Sequence, residues 1–307
     1  MSFGYQVLGF GSYRSRNPPD EFIGGARGLF GGGYQGGVGG SNAVEYLVIA
    51  NNGNASDFGD LVRTHEVGAC GTNGSRVIFA GGGTGGLNGG LNTIQYFTAA
   101  NTGNSTDFGD LVRGGFMLGS NCGDGTRSVF MGVSNYGGAT EPTTDEIQYI
   151  TVATTGNSTD FGDCVSVGAR VSTGNGWRGV GISGTNGIEF ITVATTGDSQ
   201  DFGDLVNSRS GGNYQASSDG IRAVVAGGSG SSTDSIDFFA VATLGDSTDF
   251  GDLTSAASKP SCSSNGTSMM FNRGSAYDQI IVQTLGNATS RGNTHTSCDR
   301  RCSASGS

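Results

Sequence analysis

The sequence predicts an all-β chain closed into a ring: a six-bladed β-propeller with four antiparallel strands per blade. Three observations predict it. The first is a repeated phrase. Asp-Phe-Gly-Asp begins at Asp57, Asp107, Asp160, Asp201 and Asp249, and a Tyr or Phe stands eleven positions upstream of each, at Tyr46, Tyr96, Tyr149, Phe190 and Phe238. A sixth, worn copy spans Gln279 to Ser290, where Thr284-Leu285-Gly286-Asn287 matches Thr243-Leu244-Gly245-Asp246. Self-similarity at this period marks an array of one small supersecondary unit. The second is composition: 59 of the 307 residues are Gly and only 4 are Pro. Without Gly at every third position this is not collagen. Short apolar runs flanked by Gly, Asn, Ser and Thr instead mark many short strands and tight turns. The third is an unfinished blade at each end of the chain.

The second copy shows the elements in order. Gly68-Ala69-Cys70-Gly71 is a short strand of small residues, and Thr72-Asn73-Gly74 is the hairpin turn that follows it, with Asn-Gly supplying positive φ. Arg76 to Gly82 is a second, apolar strand ending in paired Gly, Thr93 to Thr98 a third, alternating one. Asn101-Thr102-Gly103-Asn104 turns the chain into a fourth strand, Asp107 to Val112. Four antiparallel strands in one repeat make one propeller blade. Copies of the second strand begin near Arg27, Arg76, Arg127, Arg178, Arg222 and Ser268, which gives six blades. Gly24-Gly25-Ala26, after Asn17-Pro18-Pro19, leaves no room for a first strand in the first copy. Arg301 to Ser305 is a first strand with nothing after it. Residues 299–305 are therefore expected to pair with residues 26–33, closing the ring and removing its open edges. Residues 1–25 form an arm outside the propeller, and residues 26–307 the propeller itself.

The small first strand, the second strand ending in Gly-Gly, the Tyr on the third and the aromatic on the fourth resemble the kelch motif. Kelch repeats carry Trp on the fourth strand; here Phe58, Phe108, Phe161, Phe202 and Phe250 stand in its place. The Gly pair is intact at Gly32-Gly33, Gly81-Gly82 and Gly227-Gly228 and partial or absent elsewhere, so the likeness is to a divergent, kelch-like repeat. The phrase Thr-Gly-Asn-Ser-Thr-Asp-Phe-Gly-Asp-Leu also resembles repeat proteins of tailed phages of marine bacteria, cyanophages among them. The segment Phe3 to Ser12 resembles phage structural proteins as well. These resemblances imply a virion protein of the tail, a fiber or a surface attachment.

The net charge is −10, with Lys259 the single Lys among 16 cationic residues. An acidic surface disfavours nucleic acid, whose binding depends on neutralising phosphates. No apolar run approaches a membrane span, and Met1-Ser2-Phe3-Gly4-Tyr5 lacks a signal peptide's basic start, so neither membrane insertion nor secretion is expected. Six Cys in a chain of this length are no disulfide scaffold. Cys70, Cys122, Cys262 and Cys302 read as equivalent repeat positions, one repeat apart and too far to bridge.

Binding residues are expected on loops. The second-to-third connections are longest in blades one, two and three. They carry Tyr34 in the first and Tyr136, Thr140 and Glu141 in the third, a crest for a partner protein or a glycan. The fourth-to-first connections on the same face each hold a cation: Arg63, Arg113, Arg170, Arg209, Lys259 and Arg300. Such a ring would meet an anionic partner. The plainer reading is local ion pairing with Asp60, Asp110 and Asp204. Paired carboxylates in each Asp-Phe-Gly-Asp suggest calcium, but two acids are fewer than a calcium loop uses, and the sixth copy has lost both. Turn chemistry explains them instead: Asp bonding turn amides, Phe wedged between blades, Gly permitting the bend. The sequons at Asn54, Asn104, Asn157, Asn265 and Asn287 read as turn residues too.

His65 and His295 lie in different segments, and a carboxylate pair copied five times is not a catalytic pair. The expectation is a non-enzymatic virion structural protein that binds other virion proteins and carries no cofactor or metal. The alternatives are a host-recognition module for cell-surface glycans and a polysaccharide-degrading enzyme. The arm carries Phe3, Tyr5, Phe10 and Tyr13, exposed aromatics that would serve to dock on the virion.

Overall fold

The computed structural model describes residues 24–307 apart from 37–38, 52, 86–87, 120–121, 135–141, 210–213, 229–233 and 258–259. Its described residues are all-β, in six small antiparallel sheets arranged as the six blades of a propeller. The second blade runs from axis to rim as Ala69–Thr72, Arg76–Ala80, Thr93–Thr98 and Thr106–Asp110. Blades four, five and six repeat this order from Val171–Gly174, Tyr214–Ser218 and Ser261–Ser264 outward. Blade three has three regular strands, Arg127–Val133, Thr144–Thr151 and Thr159–Asp163. Its innermost segment holds on through single bridges, Phe116 to Ser134 and Gly123 to Ser128.

The ring closes where the two chain ends imply. Cys302–Gly306 pairs with Arg27–Gly31, from Arg27 opposite Gly306 to Gly31 opposite Cys302. Arg27–Gly31 then pairs with Gly39–Val48, and that strand with Ser56–His65. Gly25 donates to the Ser305 hydroxyl, so the chain enters the propeller beside its own terminal strand. The arm residues Phe3, Tyr5, Phe10 and Tyr13 lie outside the described residues.

The repeated phrase is the seam between blades. Phe58, Phe108, Phe161, Phe202 and Phe250 are all buried. Phe58 meets Tyr46 of its own blade and Phe97 of the next edge-on, with ring centroids 5.6 and 5.4 Å away. The outer strand of each blade would leave an open edge. Instead the neighbour's turn pairs with it: Gly103 N–H donates to the Phe58 carbonyl and Ser105 N–H to that of Asp60. The Asn104 side chain accepts from Asp60 N–H at 3.0 Å. Asn157, Asp198, Asp246, Asn287 and Asn54 do the same at the other five seams. The Asx residue of the turn is therefore the cap, and the Asp of Asp-Phe-Gly-Asp supplies only its backbone. Gly109 is held at φ 150° with the Gly156 carbonyl so close that an added Cβ would sit 2.4 Å from it. Any side chain there would force the blades apart.

A second latch works closer to the axis. Arg76 donates to the carbonyls of Val152 and Ala153 in blade three while its guanidinium lies 4.6 Å over Tyr96. Arg27, Arg127, Arg178 and Arg222 repeat the arrangement. Blade six has Ser268 and Gln279 in place of the Arg and the aromatic, and Gln279 itself donates to the Ile49 carbonyl of blade one. The worn copy thus keeps the seam with one side chain instead of two.

Candidate binding face

The second-to-third loops and the fourth-to-first connections lie on one face, because successive strands alternate in direction. Under that face runs a ring of buried polar side chains. Each is the residue just before the third-strand aromatic or its counterpart: Glu45, Gln95, Gln148, Glu189, Asp237 and Asp278. Each caps the connection arriving from the previous blade. Val62 N–H donates to Gln95, Arg113 N–H to Gln148, Val165 N–H to Glu189, Thr254 N–H to Asp278 and Thr296 N–H to Glu45. The Asn207 side chain does so for Asp237.

A buried carboxylate needs a counter-charge. The four blades with an acid have one and the two with Gln need none. Glu45 pairs with Arg301, Glu189 with Arg170, Asp237 with Arg209 at 3.0 Å and Asp278 with Arg273 at 2.9 Å. This corrects the expected ring of surface cations. Arg170 and Arg209 are buried inside these pairs and cannot meet an external anion. Their partners are third-strand acids, not the nearby Asp of the repeated phrase. Of the other ring members, Arg63 is exposed, and Arg113 is 44% exposed and 3.0 Å from Glu146. Lys259 lies outside the described residues, as do Tyr136, Thr140 and Glu141 of the crest.

Tyr34 is half-buried, and its role is partly structural. Its N–H donates to the Asp299 carbonyl at 2.7 Å and its carbonyl accepts from Asp299 N–H, extending the ring closure. The Arg300 guanidinium covers its ring at 4.8 Å and pairs with buried Glu66 at 3.3 Å. Next to this cluster Val67 sits at φ 56°, a costly conformation for a β-branched residue. It is held by N–H donation to the Arg300 carbonyl and by acceptance from Met117 N–H. The glycine-rich loops of blades one and two contain short ribbons, Tyr34–Gln35 on Gly39–Gly40 and Gly83–Gly85 on Asn88–Gly90.

The exposed feature of this face is a row of valines. Val62, Val112, Val165 and Val206 are 59%, 56%, 66% and 59% exposed, at one repeated position in blades one to four. Val167 adds to them. Strand alternation turns Leu61, Leu111, Cys164 and Leu205 inward and the next residue outward. The signal was in the text: Asp-Leu-Val or Asp-Cys-Val ends four of the repeats, while blades five and six carry Thr254 and His295 at the outward position. Among the described residues no group of three His, Cys, Asp or Glu is placed to hold a metal.

One further cluster lies near the axis. Cys302 Sγ is 3.8 Å from His65 Nδ1 and within hydrogen-bonding reach of the Cys70 thiol. Burial raises the Cys302 thiol, but the hydrogen bond from Cys70 and the His65 imidazole outweigh it and bring it down to about 6. Burial and the facing Cys302 push Cys70 well up. Of the two thiols, Cys302 is therefore the more acidic, with the His65 imidazole beside it.

A scan against protein-family models finds no match, and a search of curated proteins finds no similar sequence.

Proposed function

We propose that this chain is a non-enzymatic docking propeller of a tailed-phage particle, a tail, fiber or surface-attachment component that binds other virion proteins through its loop-bearing face. The observation that carries the docking role is the valine arc. Four neighbouring blades turn an aliphatic side chain to solvent at a position where blades five and six carry polar residues. Exposed aliphatic side chains repeated along one rim suit a protein contact. Arg63 and Arg113 beside it supply the polar border that such a contact needs. The glycan alternative has less support. Among the described residues of this face the large exposed-edge aromatic is Tyr34, and Arg300 occupies its ring. Catalysis has less still, because the buried acids beneath the face are committed to Arg partners. The particle itself is assigned from the resemblance of the repeated phrase and of residues 3–12.

The test is a Val112→Asp, Val165→Asp double variant made in the phage genome. Both side chains are exposed, so the purified variant should melt as the parent does and yet be missing from purified particles. Normal incorporation of the variant would overturn the docking role of the arc. Absence of the unaltered protein from particles would overturn the virion assignment.

A further inference from the structure

Cys70 and Cys302 are not equivalent positions, and that is why they meet. Cys70 lies opposite Phe79 in its blade, whereas Cys302 lies opposite Gly31, one step earlier than Ser303 opposite Phe30. Successive side chains of a strand point to opposite faces of the sheet. The one-residue offset therefore turns Cys302 toward blade two while Cys70 faces blade one. Both belong to the apolar cluster at that seam, with Leu29, Val44, Val77 and Phe79. These two cysteines therefore do not keep the one-repeat separation expected of equivalent positions. Innermost strands converge on the axis, so a repeat apart in sequence is side by side in space. Cys122 and Cys262 point elsewhere, into the clusters shared with blades four and five.

We propose that Cys70 and Cys302 are an oxidative cross-linking site, forming a disulfide that staples the ring-closing strand to blade two. The closing strand Cys302–Gly306 is otherwise held by noncovalent pairing alone. Hydrogen peroxide is small enough to reach a buried thiol when the terminal strand breathes. His65 takes the proton of Cys302, and the thiolate attacks one peroxide oxygen. The O–O bond breaks, the departing hydroxide leaves as water with the proton held by His65, and Cys302 becomes a sulfenic acid. The Cys70 sulfur then attacks the Cys302 sulfur; the S–S bond forms, the S–O bond breaks, and the hydroxide takes the Cys70 proton to leave as a second water. Two thiols are oxidised and one peroxide is reduced to two waters. The bond closes a loop over most of the chain, which constrains the unfolded state strongly.

The experiment treats the whole protein with hydrogen peroxide, alkylates it in denaturant and maps its peptides by mass. The expected result is a Cys70–Cys302 cross-linked peptide, alkylation of all but two of the six cysteines, and a melting temperature that rises on oxidation and returns with dithiothreitol. Cys70→Ala and Cys302→Ser should each abolish the cross-link and the oxidation-dependent shift, and His65→Gln should slow cross-linking. Should a variant fail to fold, the unaltered protein still decides the matter. Six alkylatable thiols after peroxide, a cross-link between other cysteines, or the same melting temperature with and without dithiothreitol would overturn the proposal.

Discussion

Replacing Phe108 by Ala tests whether the repeated phrase holds the blades together. Phe108 is 3% exposed, its ring centroid is 6.0 Å from that of Tyr96, and it shares a cluster with Ile150 and Val152 of the next blade. Truncating it removes packing on both sides of a seam. The backbone there is zipped to the neighbour's turn through Gly156 and Ser158, so the site cannot collapse to fill the space. A buried Phe→Ala change with little relaxation costs about 3–5 kcal/mol. For a chain of this size each kcal/mol moves the melting temperature by roughly 2 °C, so the variant should melt roughly 6–10 °C lower. Val112→Ala, four residues along on the exposed side, is the control, and its effect should stay within about 0.5 kcal/mol. Urea denaturation and calorimetry on both variants read the two numbers. A Phe108→Ala cost under about 1 kcal/mol, or a Val112→Ala cost as large as that of Phe108→Ala, would refute the assignment of inward and outward faces.

Two further outcomes follow from the charges. Arg209→Met leaves Asp237 buried without its counter-charge and should cost about 3–5 kcal/mol by chemical denaturation, while adding Asp237→Leu should recover much of the loss. A single-variant loss below about 1 kcal/mol would show that Asp237 has another source of compensation. Asp163 lies at the surface, and its carboxyl is raised by slight desolvation first and then by Asp145, Asp198 and Asp160. A raised folded-state value means that the native protein binds this proton more tightly than the unfolded chain, so stability falls as pH rises through the group's range. Asp163→Asn should therefore raise the melting temperature slightly near pH 7, and the gain should vanish near pH 3, where the parent carboxyl is protonated. An equal gain at both pH values would mean that charge is not the cause.

The sequence by itself determined the architecture, because each repeat spells one complete local instruction. The aromatic of the third strand, the Asx turn and the Phe-Gly of the fourth recur at fixed spacing, and only neighbouring copies can satisfy them. Blade number and ring closure followed from counting Arg27 to Ser268 and from the unmatched strand at Cys302. What tertiary structure alone decided is the direction of side chains that share a repeat position. Arg170 and Arg113 look alike in sequence. One is drawn inward because blade four carries Glu189, whereas blade three carries Gln148 and leaves Arg113 at the surface. Residues 19 positions apart make that choice, which lies beyond any local pattern. Cys302 differs from Cys70 and Cys262 by one step of register, and a strand of period two turns that step into the opposite face. Local repetition encodes which elements form and how many there are. Burial free energy, summed over contacts distant in sequence, decides which charge is neutralised inside and which thiols meet.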